Sequence, residues 1–180
     1  MVTVEPFVET FLRSNNYLGN IKLVFIGENC PNLRTYFYRS LPANPNGAAG
    51  ANPFLNNLCN AISIPIIANV YDRLKCFLEQ RCLLIDAYPN NMAPRHRHSM
   101  ADIYNDIQLI NPEKIIFITK RNKQTIIELS TYAETTFGLH IPKIVPDFNR
   151  GELWHCFPGR PNQIIDFNAG IAKAICLKLI

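Results

Sequence analysis

Several stretches of the chain gather side chains able to bind or react. Gly27-Glu28-Asn29-Cys30-Pro31 directly follows an apolar run. Gly27 allows a tight turn and Pro31 stiffens its exit, so the Glu28 carboxylate and the Asn29 amide would be held at one place. Such a pair can orient a water molecule or grip a polar ligand. Tyr36-Phe37-Tyr38 comes a few residues later, an aromatic cluster that would either stack on a planar ring or join a core. Asp86 ends a second apolar run and leads into Ala87-Tyr88-Pro89-Asn90-Asn91, where Asp86 and Asn90 would contact polar groups of a ligand or serve the turn itself.

Two basic segments follow. In Pro94-Arg95-His96-Arg97-His98-Ser99 the side chains of Arg95 and Arg97 suit phosphate groups, and a helix starting after Ser99 would add its N-terminus. A solvated basic loop is the plainer description of the same residues. In Trp154-His155-Cys156-Phe157-Pro158-Gly159-Arg160-Pro161-Asn162, prolines bracket a Gly-Arg pair. That is a rigid turn with Arg160 at its tip, suited to a nucleic-acid groove, with Asn162 as a candidate helix cap.

The elements that must position these residues show in the hydrophobic pattern. Short runs apolar on both faces, Ile21–Ile26, Cys82–Ile85, Lys114–Thr119 and the weaker His140–Val145, read as central strands of a mostly parallel sheet. Helical spacing marks Phe54–Ile62, Val70–Gln80, Met100–Ile110 behind a Ser99 cap, Lys123–Phe137 and Asn162–Leu179. Alternating strands and helices predict an α/β fold: a three-layer α/β/α sandwich around a four-stranded sheet, occupying residues 1–180 as one domain. In such sheets ligands bind beyond the carboxyl ends of the strands, which places the loops after Ile26, Ile85 and Val145 at the working edge.

Composition narrows the class of protein. Hydrophobic residues make up 48% of the chain and charged residues 18%, a balance that favours a buried core over disorder. No apolar run is long enough to span a membrane, and the N-terminus lacks the basic start and apolar stretch of a secretion signal. The chain is expected to be a cytoplasmic monomer with no membrane partner. Its net charge of +4 is too small to identify a polyanionic partner unaided. The six cysteines lack zinc-site spacing and mostly sit in apolar runs, so neither a metal nor a cofactor is expected. Walker, dinucleotide and Gly-x-Ser-x-Gly motifs are absent from the sequence.

The order of these loops resembles the uracil-DNA glycosylase superfamily over about residues 21 to 178. The resemblance rests on the strand running into Gly27-Glu28-Asn29, the helix start Asn52-Pro53-Phe54-Leu55-Asn56-Asn57-Leu58, the strand Leu84-Ile85-Asp86-Ala87-Tyr88, and Cys156-Phe157-Pro158-Gly159-Arg160 before the last helix. The helix start is similar to that of the mismatch-specific branch. What the resemblance implies is base flipping and hydrolytic excision of uracil or a related damaged base from single- or double-stranded DNA. Asn29, aided by Glu28, would orient the attacking water, and His155 would stabilise the departing base anion. One of Tyr36, Phe37 or Tyr38 would stack on the base, Asp86 or Asn90 would read its edge, and Arg95, Arg97, Arg160 and Asn162 would lie along the DNA. Cys30 stands where the family usually has its proline, and the family's His-Pro-Ser is missing. A binding module of the same fold without catalysis, or an α/β hydrolase of a small metabolite, are the other readings.

Overall fold

The computed structural model describes residues 1, 3, 6–27, 37–38, 52–65, 69–87, 98–120, 122–138, 144–158 and 161–180. In chain order the elements are α1 (Pro6–Ser14), β1 (Leu23–Gly27), α2 (Pro53–Ala61), α3 (Val70–Glu79), β2 (Cys82–Asp86), α4 (Met100–Ile110), β3 (Lys114–Phe117), α5 (Asn122–Phe137) and α6 (Pro161–Cys176). The helices start where side chains can satisfy their free N–H groups. Asn52 accepts from Leu55 N–H, Asn69 from Tyr71 and Asp72 N–H, and Ser99 from Asp102 N–H. Helix α6 begins at Pro161, so Asn162 sits inside its first turn rather than at the cap, and its side chain is exposed.

All described strands are parallel, in the order β2-β1-β3. Gly27 pairs with Asp86 and Ile26 with Phe117, so the carboxyl ends of the strands finish level. Every residue of β1 is buried. Since alternate side chains point to opposite faces, both faces of this central strand are covered.

Among the described residues the sheet has three strands, one fewer than the sequence pattern predicts. The fourth run contributes a single parallel bridge, Ile144 to Ile115. Pro146 follows at once and has no N–H to continue a ladder. The chain then leaves the sheet in a turn closed by the Asp147–Glu152 bridge and returns at His155, which pairs with Ile118.

On the side of β2 away from β1, a side chain pairs with the middle residue of the strand. Tyr38 Oη donates to Leu84 O at 2.8 Å and accepts from Leu84 N–H at 2.7 Å, so one phenol serves as a paired strand would. Phe37 beside it packs edge-on to Tyr38, Phe54 and Phe77, and Phe77 in turn stacks on Phe25 of β1. Helix α1, absent from the sequence expectations, buries Val8 and Leu12 in the same core. No helix of the described residues is long and apolar enough to cross a membrane.

Candidate functional site

The carboxyl ends of the strands bring several polar groups together. The Asp86 carboxylate leans over Gly27: a Cβ added there would lie 2.6 Å from Asp86 Oδ1. Glycine at this position is therefore what lets the carboxylate cross from β2 to the end of β1. Asp86 is half-buried and Ala87 N–H donates to Gly27 O at 3.1 Å, which fixes the start of the next loop. That loop leaves and rejoins the described chain at one place, because His98 N–H donates to Ala87 O at 3.1 Å. Burial pushes the His98 imidazole below its ordinary pKa, against the opposing pull of Asp102 and Asp106.

The gap between β1 and β3 is where the crossovers diverge. The chain leaves β1 towards β2 on one side, and after β3 it runs to Ile144 on the other. Such a switch point is the usual ligand crevice of an open parallel sheet. Asn122 is planted there. Its Nδ2 donates to Ile26 O at 3.0 Å, Gly27 O at 3.1 Å and Ile118 O at 2.7 Å, pinning the ends of both strands to α5. Those carbonyls fix the amide's orientation and leave its buried Oδ1 without a partner among the described residues. Thr119, at the end of the same strand, has φ of 80°. That is costly for a β-branched residue, and its buried Oγ1 also lacks a partner among the described residues. Neither Thr119 nor Asn122 is among the site residues expected from the sequence. The signal was present: a polar Thr119-Lys120-Arg121-Asn122 stretch ends an apolar run just as Asp86 does.

The segment before α6 closes over this edge. Asn57 Nδ2 donates to Pro158 O, and Phe157 lies 5.1 Å from Phe54 at a tilted angle, so α2 holds the loop down. Phe157 remains 39% exposed. The turn behind it is locked by Arg150, which donates to Asp147 Oδ2 at 2.7 Å, to Trp154 O at 2.7 Å and to Cys156 Sγ at 2.9 Å. Its guanidinium also stacks 4.2 Å from the Trp154 ring centroid. Asp147 in turn packs so closely on Gly170 of α6 that a Cβ there would meet Oδ1 at 2.7 Å.

Three expected site residues belong to the core instead. Phe37 and Tyr38 are 3% and 2% exposed, with their faces and the Tyr38 hydroxyl already engaged, so neither offers a free ring to a base. His155 is 0% exposed, edge-on to Phe167 of α6. Its Nε2 lies 3.1 Å from Val145 O, which can only accept, so a proton is on Nε2; among the described residues Nδ1 has no partner. Burial lowers the imidazole pKa, Asp147 and Val145 O oppose that, and Arg150 adds to the lowering. The ring is thus enclosed in the core rather than presented at the surface. Glu28, Asn29, Tyr36, Asn90, Arg95, Arg97 and Arg160 lie outside the described residues.

Among the described residues no group of three or more His, Cys, Asp or Glu stands together as a metal site would. The described cysteines are unpaired, and burial pushes the thiols of Cys59 and Cys82 up to about 12. The chain matches no protein-family model, no curated protein and no solved structure.

Proposed function

We propose that the chain is a divergent uracil-DNA glycosylase-like protein that binds DNA at the carboxyl edge of its sheet and draws a damaged base into the switch-point crevice. The observation that carries this reading is the meeting of Gly27 and Asp86. The two loops to which the resemblance gives the water-orienting and base-reading roles start from adjacent, level strand ends, with the Asp86 carboxylate crossing between them. The Pro158 turn, which the resemblance places against DNA, is anchored to α2 beside them. Asp86 reads the polar edge of the base, Asn29 with Glu28 orients water, and Tyr36 is the aromatic left for stacking. Arg95, Arg97 and Arg160 hold phosphates, and Phe157 is the apolar group presented towards the duplex.

The same reading completes the fold as a three-layer sandwich with a fourth strand through Ile144. Right-handed crossovers from β1 to β2 and from β2 back to β3 run in opposite directions. They put α2 and α3 on one face of the sheet and α4 on the other. The packing of α4 on α5, and of α2 on α6, agrees with that division.

One observation favours a second form of the proposal, in which the base is bound but not released. With His155 enclosed in the core, the side chain that the resemblance sets against the leaving base is withdrawn, which removes a stabiliser of the kind that often dominates such rates. Incubation with uracil-containing oligonucleotides separates the forms. Base release lost on Asn29→Ala supports the glycosylase. Salt-sensitive binding without release supports the binding module. If neither release nor binding occurs, both fail.

A further inference from the structure

At the opposite pole of the sheet, below the amino ends of the strands, lies a cavity of about 510 Å³. Its size falls within the range of small-molecule pockets, roughly 300–1,000 Å³. The walls are apolar: Leu23 of β1, Cys82 of β2, Ile62 and Ile64 beyond α2, and Ile175 with Leu179 at the end of α6. Lys178 takes φ of 54°, and the bonds Lys178 N–H to Ile175 O and Leu179 N–H to Ala174 O fold the chain after α6 back against the opening.

The charge around this cavity is one-sided. Lys22, Lys114 and Lys178 line it against one acidic side chain, Glu113. Lys114 N–H donates to Lys22 O at 2.9 Å, so the backbones of these two lysines are joined at the amino ends of β1 and β3. None of the three lysines forms an ion pair among the described residues, whereas Arg13, Lys75 and Arg150 each do. Apolar walls with a lysine-rich rim are complementary to a molecule that carries an anionic head on an apolar body.

We propose that this cavity is a second ligand site, which takes a small amphiphilic anion with its head among Lys22, Lys114 and Lys178 and its body along Leu23, Ile64 and Leu179. A carboxylate and a phosphate head share this chemistry. The site is separate from the carboxyl edge, so it does not depend on the function proposed there. The plainer role for these lysines is to offset the negative ends of α2, α3 and α6, which terminate nearby.

Titration calorimetry on the full chain tests the proposal with dodecanoate, dodecyl phosphate, inorganic phosphate and dodecyltrimethylammonium, each below its micellar range. One-to-one binding of a dodecyl anion, at least tenfold tighter than either inorganic phosphate or the cationic amphiphile, is the expected result; which dodecyl anion binds tighter identifies the head group. Lys114→Glu with Lys178→Glu weakens it at least tenfold, and Ile175→Glu, at a 40% exposed wall position, does so while leaving the lysines in place. Added salt weakens binding to the wild type. The proposal is overturned if no dodecyl anion saturates the protein, if the cationic amphiphile binds as well, or if the lysine variant only lowers Tm with binding unchanged.

Discussion

Replacing Tyr38 by phenylalanine removes one oxygen and keeps the ring. In the wild type that oxygen is the partner of both Leu84 O and Leu84 N–H, at a position only 3% exposed on the outer edge of β2. The variant leaves a buried carbonyl and a buried N–H without this partner. Each such group costs roughly 1–3 kcal/mol, partly relieved where water reaches the edge, so the expected loss is about 2–4 kcal/mol. For a chain of 180 residues this lowers Tm by about 5–15 °C. Urea denaturation followed by far-UV circular dichroism gives the free energy, with m unchanged if the native state keeps its compactness. Affinity for a uracil-containing oligonucleotide should stay within about twofold under conditions where the variant is folded. A stability loss below about 1 kcal/mol together with a clear loss of affinity would refute the assignment of Tyr38 to the core.

Asn122→Ala removes the donor shared by three strand-end carbonyls. Ile26 O and Gly27 O keep other donors, but among the described residues Ile118 O has no donor besides this amide, so about 1–3 kcal/mol is lost, and urea titration measures it. Thr119→Gly relieves the left-handed strain at the cost of backbone freedom and should stabilise the fold by about 1 kcal/mol, read as a rise in Tm; a fall in Tm would contradict the strain. The His155 imidazole has a folded-state pKa below its unfolded value, so its contribution is present above the ordinary histidine range near pH 6.5 and is lost as the pH falls from there. His98 titrates with the same sign, so His155→Phe should flatten only part of the fall in Tm between pH 7 and pH 5; an unchanged pH profile would contradict the role of burial. Gly27→Ala forces the Asp86 carboxylate off the end of β1 and should lower oligonucleotide affinity more than tenfold while circular dichroism stays native; unchanged affinity would remove Asp86 from the site.

The pattern of apolar runs was enough to locate most of the scaffold. Helix α4 begins behind Ser99 and spans Met100–Ile110, as its cap and periodicity require, and β2 begins at Cys82. The expected fourth strand is seen among the described residues only as the bridge from Ile144 to Ile115, and the apolar run does not announce the Asp147 turn that follows Pro146. The aromatic cluster at Phe37 and Tyr38 carries the same letters whether it faces a ligand or a core. Only the distant partners, Leu84 for the hydroxyl and Phe77 for the ring, decide it. His155 is similar: its neighbours in sequence suggest a loop, but its pairing with Ile118 turns the ring inward onto Phe167. The strand order makes the gap between β1 and β3 a switch point, and it is this order that gives the polar stretch holding Thr119 and Asn122 its place there.

The central claim is that a base leaves the DNA stack for the crevice beside Asp86. It is tested most directly by the fluorescence of 2-aminopurine placed next to a uracil in a duplex, since that probe brightens when its neighbour is unstacked. Saturating wild-type protein should raise the signal several-fold, uracil should be required, and Asp86→Ala should abolish the rise without changing the circular dichroism. Unchanged fluorescence on a duplex shown to be bound, or an equal rise with thymine in place of uracil, would contradict it.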